Sequence, residues 1–343
     1  MHSTARSNSC ARRLSCRRVR KHILMTRSTR LQFVARLTVA ALAVAIVVPR
    51  DAAAQQTRRR ITNGGYESRI DTTFAFDKNG SITLTQMSGD IIVTGWSRGE
   101  VRIRATSDDD NIRLSGSSTR LSLDVAGTRR HSDARFELSV PFGARVSATT
   151  MSGEITIRGT RGPVEAHAQN GDVSIDEVTT RLEVSSLNGD VTANNVNGDV
   201  AINSTNGEVR LSDVHGAVDV SSVSGDVDLR GITSKTVRAK TMSGDVRFGG
   251  VIDPAGRYDL VSHSGDIGLR IPRDASAQLT VSTWSGTIDS EFPITLKPGG
   301  HDISVTKSKR YTFEIGAGGA RITVEAFSGD ITISSSGRSG GDR

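Results

Sequence analysis

Residues 170–200 read NGDVSIDEVTTRLEVSSLNGDVTANNVNGDV, and this stretch decides the fold. Val173 and Ile175 alternate with Ser174 and Asp176, and Val178 closes the unit before the next turn. Period-2 alternation over four to five residues, followed by a glycine turn, is the pattern of a short strand with one buried face. The same apolar positions recur as Val209, Leu211 and Val214, as Val218, Val220 and Val223, and as Val227, Leu229 and Ile232. All of these are expected to point inward.

The tetrapeptide Ser/Asn-Gly-Asp/Glu-Val/Ile occurs ten times, with glycine at 89, 153, 171, 189, 198, 207, 225, 244, 265 and 329. Degenerate copies stand at His215-Gly216-Ala217-Val218 and Ser285-Gly286-Thr287-Ile288. From Gly153 to Gly225 the spacings are multiples of nine, and beyond Gly225 the step becomes 19, then 21 and 21. Asn-Gly and Ser-Gly supply the positive φ that a tight corner requires. The corner set is therefore Gly153, Gly171, Gly189, Gly198, Gly207, Gly225, Gly244 and Gly265.

An antiparallel meander would reverse direction at each strand and would not keep one corner motif at every step. Identical corners at fixed spacing favour a coil whose turns stack to build a common core. The expectation is an all-β fold: a parallel β-solenoid with 18–21-residue turns and right-handed crossovers. Nine residues do not divide into hexapeptides. The calcium-binding nonapeptide needs Gly-Gly-x-Gly-x-Asp, which is missing here. Composition agrees with many short Val/Ile strands, at 4% aromatic residues and 35 Gly against 7 Pro.

The ends read differently. Residues 37–48, LTVAALAVAIVV, follow Arg27, Arg30 and Arg36 and precede Ala52-Ala53-Ala54. This is the order of a secretory signal peptide over 1–54, and the run is short of the ~20 apolar residues that span a bilayer. Met25 begins a more conventional signal than Met1, so the true start is expected there. Residues 55–69 read as a flexible leader, 70–334 as the solenoid and 335–343 as a disordered tail. Removing 1–54 takes away 11 of the 44 Lys/Arg and one of the 37 Asp/Glu, leaving a net charge of −3. That excludes an electrostatic case for nucleic acid. It also removes Cys10 and Cys16, the only cysteines. The product is expected outside the cytoplasm, periplasmic or at the cell surface, with no membrane span after cleavage.

The repeat phase aligns Glu154, Asp172, Asp190, Glu208, Asp226, Asp245 and Asp266 on one corner. Turns about 4.8 Å apart would make these a column of carboxylates. Two readings are open: each carboxylate braces corner amides, or neighbours share Ca²⁺, which takes several oxygens at about 2.3–2.6 Å. No other cofactor is expected. No Gly-x-Ser-x-Gly elbow occurs, and His131, His167, His215, His263 and His301 form no triad, so no catalytic residue is assigned. Trp96 and Trp284 are expected to cap the solenoid ends, and Arg58-Arg59-Arg60 to be a solvated part of the leader.

Ser88-Gly89-Asp90-Ile91 with GWSRGEVRIRA (95–105), ELSVPFGARVSATTMSGEI (137–155) and the Asn-Gly-Asp-Val array resemble the bacterial adhesin-candidate β-strand-repeat proteins. The likeness covers residues 70–334. It implies a β-solenoid, export, and a surface or envelope role of unassigned function, with no catalytic residues to carry over. The expected function is non-catalytic binding or adhesion to an envelope or cell-surface polymer or protein through a repetitive face. The alternatives are a β-helical polysaccharide-processing enzyme, and a structural or sensory envelope component that binds another protein.

Overall fold

The computed structural model describes residues 57–62, 65–108, 111–126, 133–292 and 309–336. The signal segment 1–54, Met25, His131, His301 and the tail from 337 lie outside the described residues. Among those described there is no helix, and every strand joins one sheet of 25 strands.

The coil is the expected one. Val164–Asn170 pairs in parallel with Leu182–Asn188, which pairs with Val200–Asn206, which pairs with Val218–Ser224. The intervening strands Val173–Val178, Val191–Val196 and Val209–Val214 stack likewise, each residue on the one 18 positions later. One rung is thus two strands and two corners, and the nine-residue unit is half a rung. The first strand of each rung is called here strand A and the second strand B.

The two halves handle the phase differently. In strand B, Glu177, Asn195 and Asp213 adopt φ of 55–57°, a left-handed residue that shifts alternation by one and turns Val178, Val196 and Val214 inward. Strand A instead skips pairing two residues before the corner glycine: Ser186 pairs with Ser204 and Asn188 with Asn206, while Leu187 and Thr205 do not pair. There the side chain turns out. Val223, expected inside, is accordingly exposed.

At the main corner Gly153, Gly171, Gly189, Gly207, Gly225, Gly244 and Gly265 have φ between 120° and 152°. Space is as tight as angle: a Cβ on Gly189 would lie 2.2 Å from the carbonyl oxygen of Gly171, one rung away. Gly198 belongs to the opposite corner and has no such φ. It is glycine because a Cβ would meet Thr180 O at 1.9 Å. The longer turns after Gly225 carry their extra residues as bulges between Arg230/Ile232 and Ser234/Thr236. Buried Tyr258 anchors them, its hydroxyl donating to Ser234 O at 2.6 Å and accepting from Asp253 N at 2.8 Å.

Both ends depart from a simple coil. The spacing places Gly286 on Gly265, but the rung that stacks there is that of Gly329: Gly265 N donates to Ser328 O, and Gly329 N donates to Ser285 O. The strands Ala320–Ser328 and Ile331–Ser336 therefore slot between Gly265's rung and the outer rung Ala277–Ser285/Ile288–Ser290. The N-terminal end mirrors this. Ser81–Ser88 and Ile91–Trp96 slot between Arg145–Ser152/Ile155–Arg158 and the outer rung Arg120–Ala126/Ala134–Pro141. At each end one turn skips a rung, and both have the form Pro-x-x-Ala: Ala144 N donates to Pro141 O at 3.0 Å and Ala275 N to Pro272 O at 3.1 Å.

Antiparallel strands cover the outer rungs. Asn111–Gly116 lies on Arg120–Ala126, Glu100–Asp108 on Ala134–Pro141, and Lys309–Ile315 on Ala277–Ser285. The expected leader instead contributes Thr57–Thr62 and the start of Gly65–Ala75, a hairpin added to Glu100–Asp108. Backbone strands thus protect the ends, not tryptophans. Trp96 lies in the slotted rung, its indole N–H donating to Glu100 O at 2.7 Å.

Candidate binding surface

The seven carboxylates of the acidic corner do line up, joined by Asp90 at one end and Asp330 at the other. The aspartates brace the stack. Oδ1 of Asp172 accepts the backbone N–H of Asp190 at 2.8 Å, Asp190 that of Glu208 at 2.9 Å, and Asp226 that of Asp245 at 2.9 Å. Asp245 does the same for Asp266 at 2.9 Å, and Asp266 for Asp330 at 2.8 Å. Glu208 pairs with Arg210, which also reaches Asp190 Oδ2 at 3.1 Å. Arg247 bridges Asp226 at 3.2 Å and Asp245 at 2.6 Å. The bond to Asp190 pushes the Arg210 guanidinium above its ordinary value. Among the described residues no group of three or more His, Cys, Asp or Glu is placed to hold a metal.

A second column runs beside the first and was hidden in the sequence. Two residues before successive corner glycines stand, in spatial order, Met87, Met151, Gln169, Leu187, Thr205, Val223, Met242, His263, Phe327 and Trp284. Seven of the nine large hydrophobic side chains exposed among the described residues fall here, each 40–55% exposed. The unpaired position of strand A turns them outward. At one end the rings stack across three rungs: His263 on Phe327 with centroids 4.6 Å apart, and Phe327 on Trp284 at 5.9 Å. The signal was present as Met, Leu, Val, Phe or Trp recurring at a fixed offset from glycine, but inward alternation had claimed Val223.

Beside this apolar ridge, on the side away from the acidic column, lies a shallow trough of about 480 Å³ crossing five rungs. Its far wall carries Thr149, His167, Ser185, Asn203 and Ser221, and Leu187 and Val223 form its near lip. Opposite the trough, asparagines one residue before the glycine form an amide ladder: Asn188 Nδ2 donates to Asn170 Oδ1 at 2.9 Å and Asn206 Nδ2 to Asn188 Oδ1 at 2.8 Å. These amides stiffen the corner on which the ridge stands.

A family model described as Toastrack DUF4097 matches residues 159–334, half of the chain. The chain belongs to the Toastrack family. The match covers the regular coil from the corner of Gly159 through the slotted C-terminal rung, and its β-solenoid is the fold described above. No curated protein matches the chain. Among solved structures, an adhesin candidate from Parabacteroides distasonis ATCC 8503 is similar at 12% identity, covering 80% of this chain and 98% of that one, with a TM-score of 0.40. A lipid-binding candidate from the same organism matches at 10% identity, 80% and 98% coverage and a TM-score of 0.39. An adhesin candidate from Bacteroides fragilis NCTC 9343 matches at 11%, 77% and 96%, with a TM-score of 0.38.

Proposed function

We propose that this Toastrack chain is an exported, non-catalytic protein of the cell envelope or surface that binds a polymer or protein along its repetitive faces. The observation that supports this reading is the coil from 145 to 264. No inserted loop walls a cleft there, and the outward columns other than the apolar ridge carry mostly polar or charged groups rung after rung. Such a face offers the same weak contact at about 4.8 Å intervals, which suits extended partners and multivalent capture rather than a deep small-molecule site. The scattered His167, His215 and His263 and the arginine-paired acidic column provide no general acid and base facing one cleft.

The test is co-sedimentation of the purified chain with envelope polysaccharide and with whole cells, with calcium or with EDTA, scoring bound protein and released sugar ends together. Stoichiometric binding without sugar release is the expected result. Catalytic sugar release would overturn the reading in favour of an enzyme. Fusing residues 1–54 to a reporter active only outside the cytoplasm tests export.

A further inference from the structure

The ridge and the trough lie side by side on one surface, and their shapes are opposite. We propose that this surface is a homodimer interface, in which the ridge of each chain seats in the trough of a second copy about a two-fold axis parallel to the stacking direction. The inference goes beyond the binding role, which it leaves to the outward columns other than the ridge and the trough.

Three observations favour a second copy as occupant. The first is spacing. The ridge presents one side chain per rung, at about 4.8 Å, and the trough is divided by rungs at that same interval. A helix, rising about 1.5 Å per residue with a 5.4 Å pitch, falls out of step within a few rungs. An identical solenoid stays in step over all five rungs of the trough.

The second is symmetry. A two-fold contact requires a self-complementary patch. With the axis parallel to the stack, the ridge of one copy comes to lie opposite the trough of the other, and the reverse contact forms at the same time. With the axis perpendicular to the stack, ridge would meet ridge and both troughs would stay empty.

The third is charge. The acidic column runs along one flank of the ridge, and the trough occupies the other. The parallel axis puts the two acidic columns on opposite flanks of the interface. The perpendicular axis brings them together, where like charges repel. The same column disfavours an anionic bilayer as occupant. Met151, Leu187 and Val223 are the central anchors, since they stand on the rungs that carry the trough.

The experiment is sedimentation velocity on the purified full chain up to about 100 µM, where a micromolar dimer is saturated, with a chain starting at Gln55 beside it. Both are expected to be dimeric. The double variant Leu187→Asp/Val223→Asp is expected to weaken association about tenfold or more while keeping the wild-type circular dichroism and melting temperature. Geometry is read separately in a Cys10→Ser/Cys16→Ser background. Mixed Leu187→Cys and Ser185→Cys chains should cross-link faster than either alone, because each ridge residue faces the far wall of the other trough. Arg270→Cys, on the outer face of strand B, should not cross-link.

A monomer at the highest concentration overturns the proposal. So does a dimer that requires residues 1–54, one indifferent to the two aspartates, or one that cross-links best through position 270. Binding of the ridge to neutral or anionic vesicles by a monomeric chain would assign the surface to lipid instead. Loss of polymer or cell binding with the dimer intact would count against the binding role alone.

Discussion

The backbone N–H of Asp190 donates to Oδ1 of Asp172, 2.8 Å away and one rung down the stack. The carboxylate thus adds a side-chain bond between two rungs that the corner's backbone bonds, Gly171 N to Asn188 O and Val173 N to Asp190 O, both at 2.9 Å, already join. Replacing Asp172 with Ala removes that acceptor and should cost about 1 kcal/mol, the usual worth of a partly solvated bond of this kind. Asp172→Asn keeps an Oδ1 acceptor and should cost less than half as much. If the column served chiefly to share a cation, the order would change: Asn would be as harmful as Ala, and EDTA would lower the melting temperature of the wild type. The expected result is a melting temperature unmoved by EDTA, because the aspartate oxygens are already engaged by amides and arginines.

Gly189 supports a second test. Its φ of 136° and the 2.2 Å that would separate an added Cβ from Gly171 O act together, so any side chain is excluded twice. Gly189→Val should destabilise by about 3 kcal/mol or more, near the limit a domain of ordinary stability survives. Gly99→Ala, where the nearest atom to the new Cβ is Phe76 O at 4.0 Å, should change stability by less than about 0.5 kcal/mol. Equal melting temperatures for the two variants would refute the corner assignment.

The coil was legible because a single physical rule repeats. Glycine must turn the corner, aliphatic residues must face inward, and an 18-residue step brings like onto like, so the register Val173 on Val191 on Val209 follows from spacing alone. The acidic column was legible for the same reason. What escaped was local: the left-handed turn at Glu177 and the unpaired bulge at Leu187 each shift the phase by one residue, and neither carries its own motif. That shift decides whether an apolar residue is core or ridge, so Val223 was placed on the wrong side. The slotted end rungs escaped because stacking order need not follow chain order. Their one sequence mark is the pair of Pro-x-x-Ala turns at 141–144 and 272–275.

Glu291 ties the outer C-terminal rung to the slotted one. Its Oε2 accepts from Ser335 N at 2.8 Å and Ser335 Oγ at 2.9 Å, and these bonds hold its carboxyl below the usual carboxylate value. A lowered folded-state value stabilises the fold above the unfolded value, near pH 4.3, and this contribution is lost as pH falls through the folded one. Hydrogen exchange of the Ser335 amide, which donates to that carboxylate, should therefore accelerate as pH is lowered from about 5 to 3, after correction for intrinsic rates. Glu291→Gln should flatten that dependence. A wild-type profile already flat would show that the bond contributes nothing.

The slotted rung also makes the ends separable from the middle. Among the described residues, Ala277–Ser285 pairs only with Lys309–Ile315 and Ala320–Ser328, and Ile288–Ser290 pairs only with Ile331–Ser336. A chain ending at Ser308 therefore strips the outer rung of every inter-strand partner and leaves Trp284 without the Phe327 ring. Stacked rungs exchange energy chiefly with their neighbours, so the loss should stop within one or two rungs. Amides from 277 to 290 should exchange without protection and Trp284 emission should shift to the red. Amides of Val173, Val191 and Val209 should keep their protection within about tenfold. Global unfolding of the truncated chain would mean instead that the coil folds as one cooperative block, with the slotted rung as its closing element.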